Sequence, residues 1–221
     1  MTTTEPFAAE APVDCPLCPR LVDYRTRNQA SEPDWFNGAV PSFGDPRARL
    51  LIIGLAPGVT GANRTGRPFT GDWAGDLLYG TLAKFGFSDG RYDKRADDGL
   101  KLSDAMITNA VRCVPPQNKP IAAEINRCRP FLRARIDALP RVRVLLCLGR
   151  IAHDSTVRAL GEKPSQLTFA HQSRHDVQDG ARTLTLLSSF HCSRYNTNTG
   201  RLTAEMFEAV FADARSILDG A

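Results

Sequence analysis

Four short runs along the chain are almost wholly apolar: 50–54 (L-L-I-I-G), 105–109 (A-M-I-T-N), 142–148 (V-R-V-L-L-C-L) and 184–188 (L-T-L-L-S). Between them the apolar residues return every three or four positions instead. Leu77, Leu78, Leu82 and Phe85 make a stripe that ends at Gly86. Ile121, Ile125, Cys128, Leu132, Ile136 and Leu139 step by 4, 3, 4, 4 and 3, and Pro130 is expected to kink or split that helix. Residues 151–160 predict a third helix, and Met206, Phe207, Val210, Phe211, Ile217 and Leu218 a C-terminal one. Near-continuous apolar strands separated by helices predict an α/β fold, with a buried parallel sheet carrying helices on both faces.

Length and composition narrow the class. The chain has 221 residues, 42% hydrophobic and 24% charged, which suits one globular domain and excludes disorder as the main state. Residues 1–14 show no hydrophobic period and are expected to form a flexible arm, with a single domain over 15–221. No apolar stretch approaches the roughly 20 residues of a membrane span, and the N-terminus lacks a signal-peptide layout, so a cytoplasmic protein that engages no membrane is expected.

In open α/β sheets the ligand sits at the carboxyl ends of the strands. The segments after the first, second and fourth runs are the oddest of the chain: 54–72 (G-L-A-P-G-V-T-G-A-N-R-T-G-R-P-F-T-G-D), 111–120 (V-R-C-V-P-P-Q-N-K-P) and 190–203 (F-H-C-S-R-Y-N-T-N-T-G-R-L-T). The first is neither a Walker loop, lacking G-K-[ST], nor a dinucleotide fingerprint, its glycine spacing being wrong. Asp72 precedes the Leu77 stripe and reads as a helix N-cap, a role compatible with catalysis because it holds the carboxylate in one place. His191 follows the fourth strand. Asn109 and Asn118 offer amides that match the imide edge of a pyrimidine such as uracil, as well as ordinary backbone turns. Phe69 is either an anchor for its loop or a stacking face for a flat base.

The six cysteines divide by spacing. Cys15 and Cys18 form a C-P-L-C pair, and Cys113 and Cys128 a distant second pair, a pattern that suits a four-thiolate centre of zinc or iron–sulfur type, with ordinary packing as the competing reading. Cys147 reads as a core strand residue, and Cys192 stays open.

Together these segments resemble the uracil-DNA glycosylase superfamily, and most closely its family 5, the type B iron–sulfur enzymes. The resemblance is carried by C-P-L-C, G-L-A-P-G, N-R-T-G-R-P-F-T-G-D, V-R-C-V-P-P-Q-N-K-P, Cys128, L-G-R-I-A and H-C-S-R-Y-N-T-N-T-G-R-L-T, nearly the whole chain from Cys15 onward. It implies a three-layer α/β/α sandwich around a four-stranded parallel sheet and a [4Fe–4S] cluster on Cys15, Cys18, Cys113 and Cys128. It implies hydrolytic removal of uracil from double-stranded, and also single-stranded, DNA, leaving an abasic site. By the same resemblance Asp72, Asn118 and His191 are catalytic, while Phe69, Asn109, Gly54 and Ala56 bind the base. Arg64, Arg67, Lys119, Ser193, Arg194, Asn196 and Arg201 would contact DNA, the segment 193–199 filling the vacated stack. Two departures bear on this. Ala56, Gly58 and Val59 stand where many superfamily members carry a polar residue, which family 5 shares and which suggests tolerance of hypoxanthine and xanthine. Cys192 stands where proline or another apolar residue is commoner.

Charge adds a location. Without Glu5, Glu10 and Asp14 of the arm, 21 acidic residues face 28 basic ones, and the excess is expected in Arg64, Arg67, Arg112, Lys119, Arg194 and Arg201 of the three loops, where DNA phosphates would pass. No lysine lies in the first or last loop, so no Schiff-base lyase step is expected, and the protein is expected to be a monomer. The competing reading is a non-catalytic nucleic-acid-binding module with a structural four-cysteine metal site.

Overall fold

A computed structural model describes residues 9–220. In chain order the elements are α1 (Pro19–Ser31), β1 (Phe43–Gly44), β2 (Leu50–Gly54), α2 (Ala62–Thr65), α3 (Trp73–Lys84), β3 (Ser88–Asp89), β4 (Lys101–Leu102) and β5 (Ala105–Asn109). There follow a 3-10 turn (Pro116–Asn118), α4 (Ala122–Asp137), β6 (Val144–Leu148), α5 (Arg150–Ala159), β7 (Arg174–Asp179), β8 (Arg182–Ser189), α6 (Arg194–Asn198) and α7 (Ala204–Asp219).

The four apolar runs are the sheet's centre. β5, β2, β6 and β8 pair in that order, all parallel, and every residue of β2, β5 and β6 is buried. Alternate positions serve opposite faces, as the pleat demands. Leu50, Ile52, Leu146 and Leu148 pack with Leu78, Leu82, Phe207 and Phe211 of α3 and α7. Leu51, Ile53, Leu145 and Cys147 pack with Leu132, Ile136, Ala152 and Val157 of α4 and α5. The result is the expected three-layer sandwich, with Cys147 in its core.

The sheet is wider than the four parallel strands expected. β1 adds to β5 and β7 adds to β8, both antiparallel, making six strands. β1 is two residues long, and β7 reads R-H-D-V-Q-D with only Val177 buried, so neither carries a period that sequence could register. Pro130 does not split α4, which runs unbroken from Ala122 to Asp137.

Of the arm expected over 1–14, residues 1–8 lie outside the described residues, and order begins ahead of Cys15. Glu10 accepts from the Ser42 amide at 2.9 Å and pairs with Arg112 at 2.9 Å and with Arg135. No helix among the described residues is long and apolar enough to cross a membrane.

Candidate active site

β2 lies between β5 and β6, so the chain reverses its direction of travel across the sheet there, and the crevice beyond the strand ends opens at that point. Gly54 pairs with Asn109 at the tips of β2 and β5. A Cβ at Gly54 would lie 2.3 Å from Asn109 Oδ1 and 2.7 Å from the Phe69 ring, so glycine alone lets amide and ring meet at the strand end. Asn109 is 3% exposed, and its Oδ1 is buried with no hydrogen-bond partner. Orphaned buried acceptors are rare in native folds and point to a ligand or a water.

Phe69 has φ +53, a left-handed conformation unfavourable for a side chain of this size. Its ring is 7% exposed and stacks on His191, with centroids 5.8 Å apart and planes 26° from parallel. His191 Nδ1 is also buried without a partner, and burial pulls the imidazole down to about 4, so the ring is neutral near pH 7. Asn196 Nδ2 donates to the His191 carbonyl at 2.8 Å and fixes that backbone.

Asp72 is the N-cap of α3: its Oδ1 accepts from the Gly75 amide at 3.2 Å. Burial pushes its carboxyl up, and the amides of Gly75 and Ala74 oppose the shift. A Cβ at Gly61 would sit 2.5 Å from Asp72 Oδ2, so the glycine-rich loop leaves room for that oxygen. Asn118 and the preceding Gln117 both have left-handed φ, +56 and +57. The turn is buttressed from α1, where Arg20 donates to the Lys119 carbonyl at 3.0 Å and forks onto Glu124 at 2.7 and 2.9 Å.

Asp72, Asn118 and His191 come together around one cleft of about 460 Å³, with Leu55, Ala56 and Gly58 on its wall. A second cavity of about 560 Å³ shares Leu55 and His191 and has Arg150 and Arg201 in its lining. Arg150 lies over Phe169 at 5.1 Å, and Arg201 over Phe190 at 4.6 Å.

The cations expected to meet DNA divide into two groups. Arg64, Lys119, Arg194 and Arg201 are exposed. Arg67 is not available to a phosphate: 4% exposed, it forks onto Asp98 at 2.7 Å through both terminal nitrogens. Arg112 is likewise buried, on Glu10 and Ser42. A loop composition rich in arginine does not reveal which guanidinium turns inward. Ser193 and Asn196 have internal partners, Ser193 capping α6 and Asn196 holding His191. Trp73, not singled out by sequence, projects beside Asp72 at 48% exposure, its adjacency to that carboxylate being the available signal.

Cys15, Cys18, Cys113 and Cys128 line one cavity between α1, α4 and the end of β5. All four thiols are free, and among the described residues no group of three or more His, Cys, Asp or Glu is placed to hold a metal ion. Burial pushes Cys113 up to about 12 and Cys128 up to about 11. The donor set fits a thiolate-held group: the Arg112 amide donates to Cys128 Sγ at 3.3 Å, and Arg25 Nη1 to Cys113 Sγ at 3.6 Å. Ala56 of the cleft wall packs against this same cluster. Cys192 is fully buried and belongs to the main core.

Comparison with known proteins gives the arrangement a family. The profile described as Uracil DNA glycosylase superfamily matches residues 41–215. A type-5 uracil-DNA glycosylase of Thermus thermophilus is 44% identical over 209 residues, spanning 92% of this chain and 93% of the relative. Those of Mycobacterium leprae and Pyrobaculum aerophilum are 40% and 37% identical, spanning 92% and 91% of this chain and 91% and 88% of their own lengths. A cleft at the sheet's switch point, an orphaned amide beside an aromatic ring and full-length similarity to these enzymes lead to one conclusion: this chain belongs to the uracil-DNA glycosylase superfamily.

Proposed function

We propose that the protein is a monofunctional DNA glycosylase of the type-5 class, which flips uracil out of DNA and hydrolyses its N-glycosidic bond to leave an abasic site. The observation that carries this reading is Asn109 Oδ1, buried and unpaired beside Phe69 at the tip of β5. An amide beside a flat aromatic face suits a base that offers an imide N–H and a carbonyl on one edge. The convergence of Asp72, Asn118 and His191 on one cleft supplies groups that a mere binding module does not need.

Cleavage gives the sugar oxocarbenium character and the base negative charge. The ionised Asp72 stabilises the sugar and orients water, and Asn118 completes that side of the cleft. Neutral His191 donates from a ring nitrogen to the departing base, a role that a low pKa favours because the donor carries no charge before the transition state. No lysine lies in the loops 54–72 and 190–203, which supports hydrolysis over a Schiff-base route. The apolar wall of Leu55, Ala56 and Gly58 imposes little selection on the base and supports release of hypoxanthine and xanthine as well.

Cys15, Cys18, Cys113 and Cys128 hold a [4Fe–4S] cluster in this reading, supported by four thiols on one cavity and by N–H donors to two of the sulfurs. Such a cluster would supply a covalent tie between the segment leading into α1, the 111–120 loop and α4, and so would support Asn118. Arg64, Lys119, Arg194 and Arg201 meet DNA phosphates.

Incubating the purified protein with uracil-, hypoxanthine- and xanthine-containing oligonucleotides, with and without alkali, tests the reaction. Strand breaks only after alkali are expected on all three; breaks without alkali would exclude a monofunctional enzyme, and activity on uracil alone would exclude the wider range. Iron content and a broad visible absorption lost in Cys15→Ser test the cluster.

A further inference from the structure

Loop 67–72 supplies two groups of the proposed reaction, Phe69 and Asp72, through a backbone that a free chain disfavours at Phe69, where φ is +53, and that glycine alone adopts readily at Gly71, where φ is +88. The Tyr92 hydroxyl accepts from the Gly71 amide at 3.2 Å and donates to the Phe69 carbonyl at 3.2 Å, bracketing Thr70 from both sides. Burial pushes that hydroxyl up to about 12, so its proton is present over the working range. Next to it, Tyr79 donates to the Pro68 carbonyl at 2.7 Å, and the two tyrosine rings stack with centroids 4.4 Å apart.

Arg67 secures this platform. Its guanidinium lies over Tyr79 at 5.4 Å, Tyr92 at 5.8 Å and Phe43 at 5.0 Å, and its Nε donates to Thr70 Oγ1 at 2.7 Å. Asp98, its fork partner, also accepts from the amides of Asp93 and Leu100, which anchors the segment carrying Tyr92. Gly75 is part of the same fit, because a Cβ there would lie 2.5 Å from the Tyr92 oxygen.

We infer that Tyr92 is a positioning residue for base removal: its hydroxyl locks the main chain on both sides of Thr70, holding the Phe69 ring against His191 and the Asp72 carboxylate over the cleft. The Arg67–Asp98 pair holds Tyr92 in turn. The inference rests on the proposed glycosylase reading, since Phe69 and Asp72 have their roles there. A hydroxyl is required because the site needs a donor and an acceptor on one atom. A ring is required because the rest of the residue is held by stacking.

Tyr92→Phe keeps the ring and removes the oxygen, leaving the Gly71 amide and Phe69 carbonyl unbridged. Expected are a melting temperature and DNA affinity close to the parent's, with single-turnover uracil release slower by about 10- to 100-fold, the scale of a small misplacement at a reacting centre. In a Phe69→Ala background the same change is expected to slow release by a smaller factor than in the parent, only its effect through Asp72 remaining, a coupling that a purely structural role would not produce. Asp98→Asn, which keeps the tyrosine, gives a second test should the phenylalanine variant fail to fold: slowed release with retained DNA affinity is expected. Parent-like release in Tyr92→Phe, or in Asp98→Asn where that variant stands in, overturns the inference provided Phe69→Ala and Asp72→Asn are slow. Fast release in Phe69→Ala and Asp72→Asn overturns the glycosylase site assignment instead.

Discussion

Trp73 Nε1 donates a 3.0 Å hydrogen bond to Thr197 Oγ1, tying the first residue of α3 to α6 across the mouth of the cleft. Arg194 of α6 lies over the same indole at 5.4 Å. The residue after the Asp72 cap is thereby the seat for the segment expected to enter the DNA stack. Trp73→Ala removes the hydrogen bond and the cation–π contact, each worth roughly 0.5–1.5 kcal/mol. The expected outcome is a several-fold loss of affinity for uracil DNA with an intact fold, measured by fluorescence anisotropy and thermal melting.

Gly61→Ala tests the Asp72 geometry from the opposite side. Gly61 has φ −96 and ψ −113, a ψ outside the α and β regions that alanine prefers, and the added methyl would lie 2.5 Å from Asp72 Oδ2. The carboxylate must move, so single-turnover release is expected to fall by about 10-fold or more, with a lowered melting temperature from the strained backbone. Comparison of rate and melting temperature in this one variant checks it.

The sheet's core, the four helices that flank it and the position of the busy loops were all legible in the sequence, because β2, β5 and β6 are buried at every position and such strands cannot conceal their composition. Asp72 and His191 were legible because each directly ends or begins a recognisable element. Arg67 was not. Its guanidinium is claimed by Asp98, Tyr79, Tyr92 and Phe43, all more than ten residues away in sequence and one of them in a two-residue strand, and no local pattern announces such a tertiary cage. Glu10 escaped for the same reason: its partners Ser42, Arg112 and Arg135 are all distant in sequence.

The two classes of arginine should separate under salt. Each exposed cation that meets a phosphate contributes about one unit to the slope of log affinity against log salt concentration. Arg194→Ala and Arg201→Ala are each expected to lower that slope while leaving stability near the parent's. Arg67→Met should instead lose roughly 3–5 kcal/mol of stability, because it strands the buried Asp98 carboxylate that Arg67 holds well below the usual range. Salt titrations and urea melts of the three variants check both halves.

His191 gives stability a pH dependence with a definite sign. Burial lowers its folded-state value from 6.5 to about 4, so between those values the unfolded chain binds a proton that the folded protein refuses. Stability from this group is complete above about 6.5 and is lost progressively as pH falls toward 4. Asp72, raised by burial, acts in the opposite sense, contributing stability at low pH that is lost as pH rises through its folded value. His191→Gln is expected to flatten the destabilisation between pH 6.5 and 4, measured as the urea midpoint against pH.

The central claim is that Asp72 and His191, both lining one cleft, perform the cleavage of a base held by Asn109 and Phe69. Single-turnover release of free uracil from a uracil-containing duplex, measured for the parent, Asp72→Asn and His191→Ala at equal occupancy, tests it most directly. The account predicts rapid release by the parent and, in each variant, a rate reduced by about 100-fold or more with the fold retained. Parent-like release in both variants, or none from the parent, would contradict it.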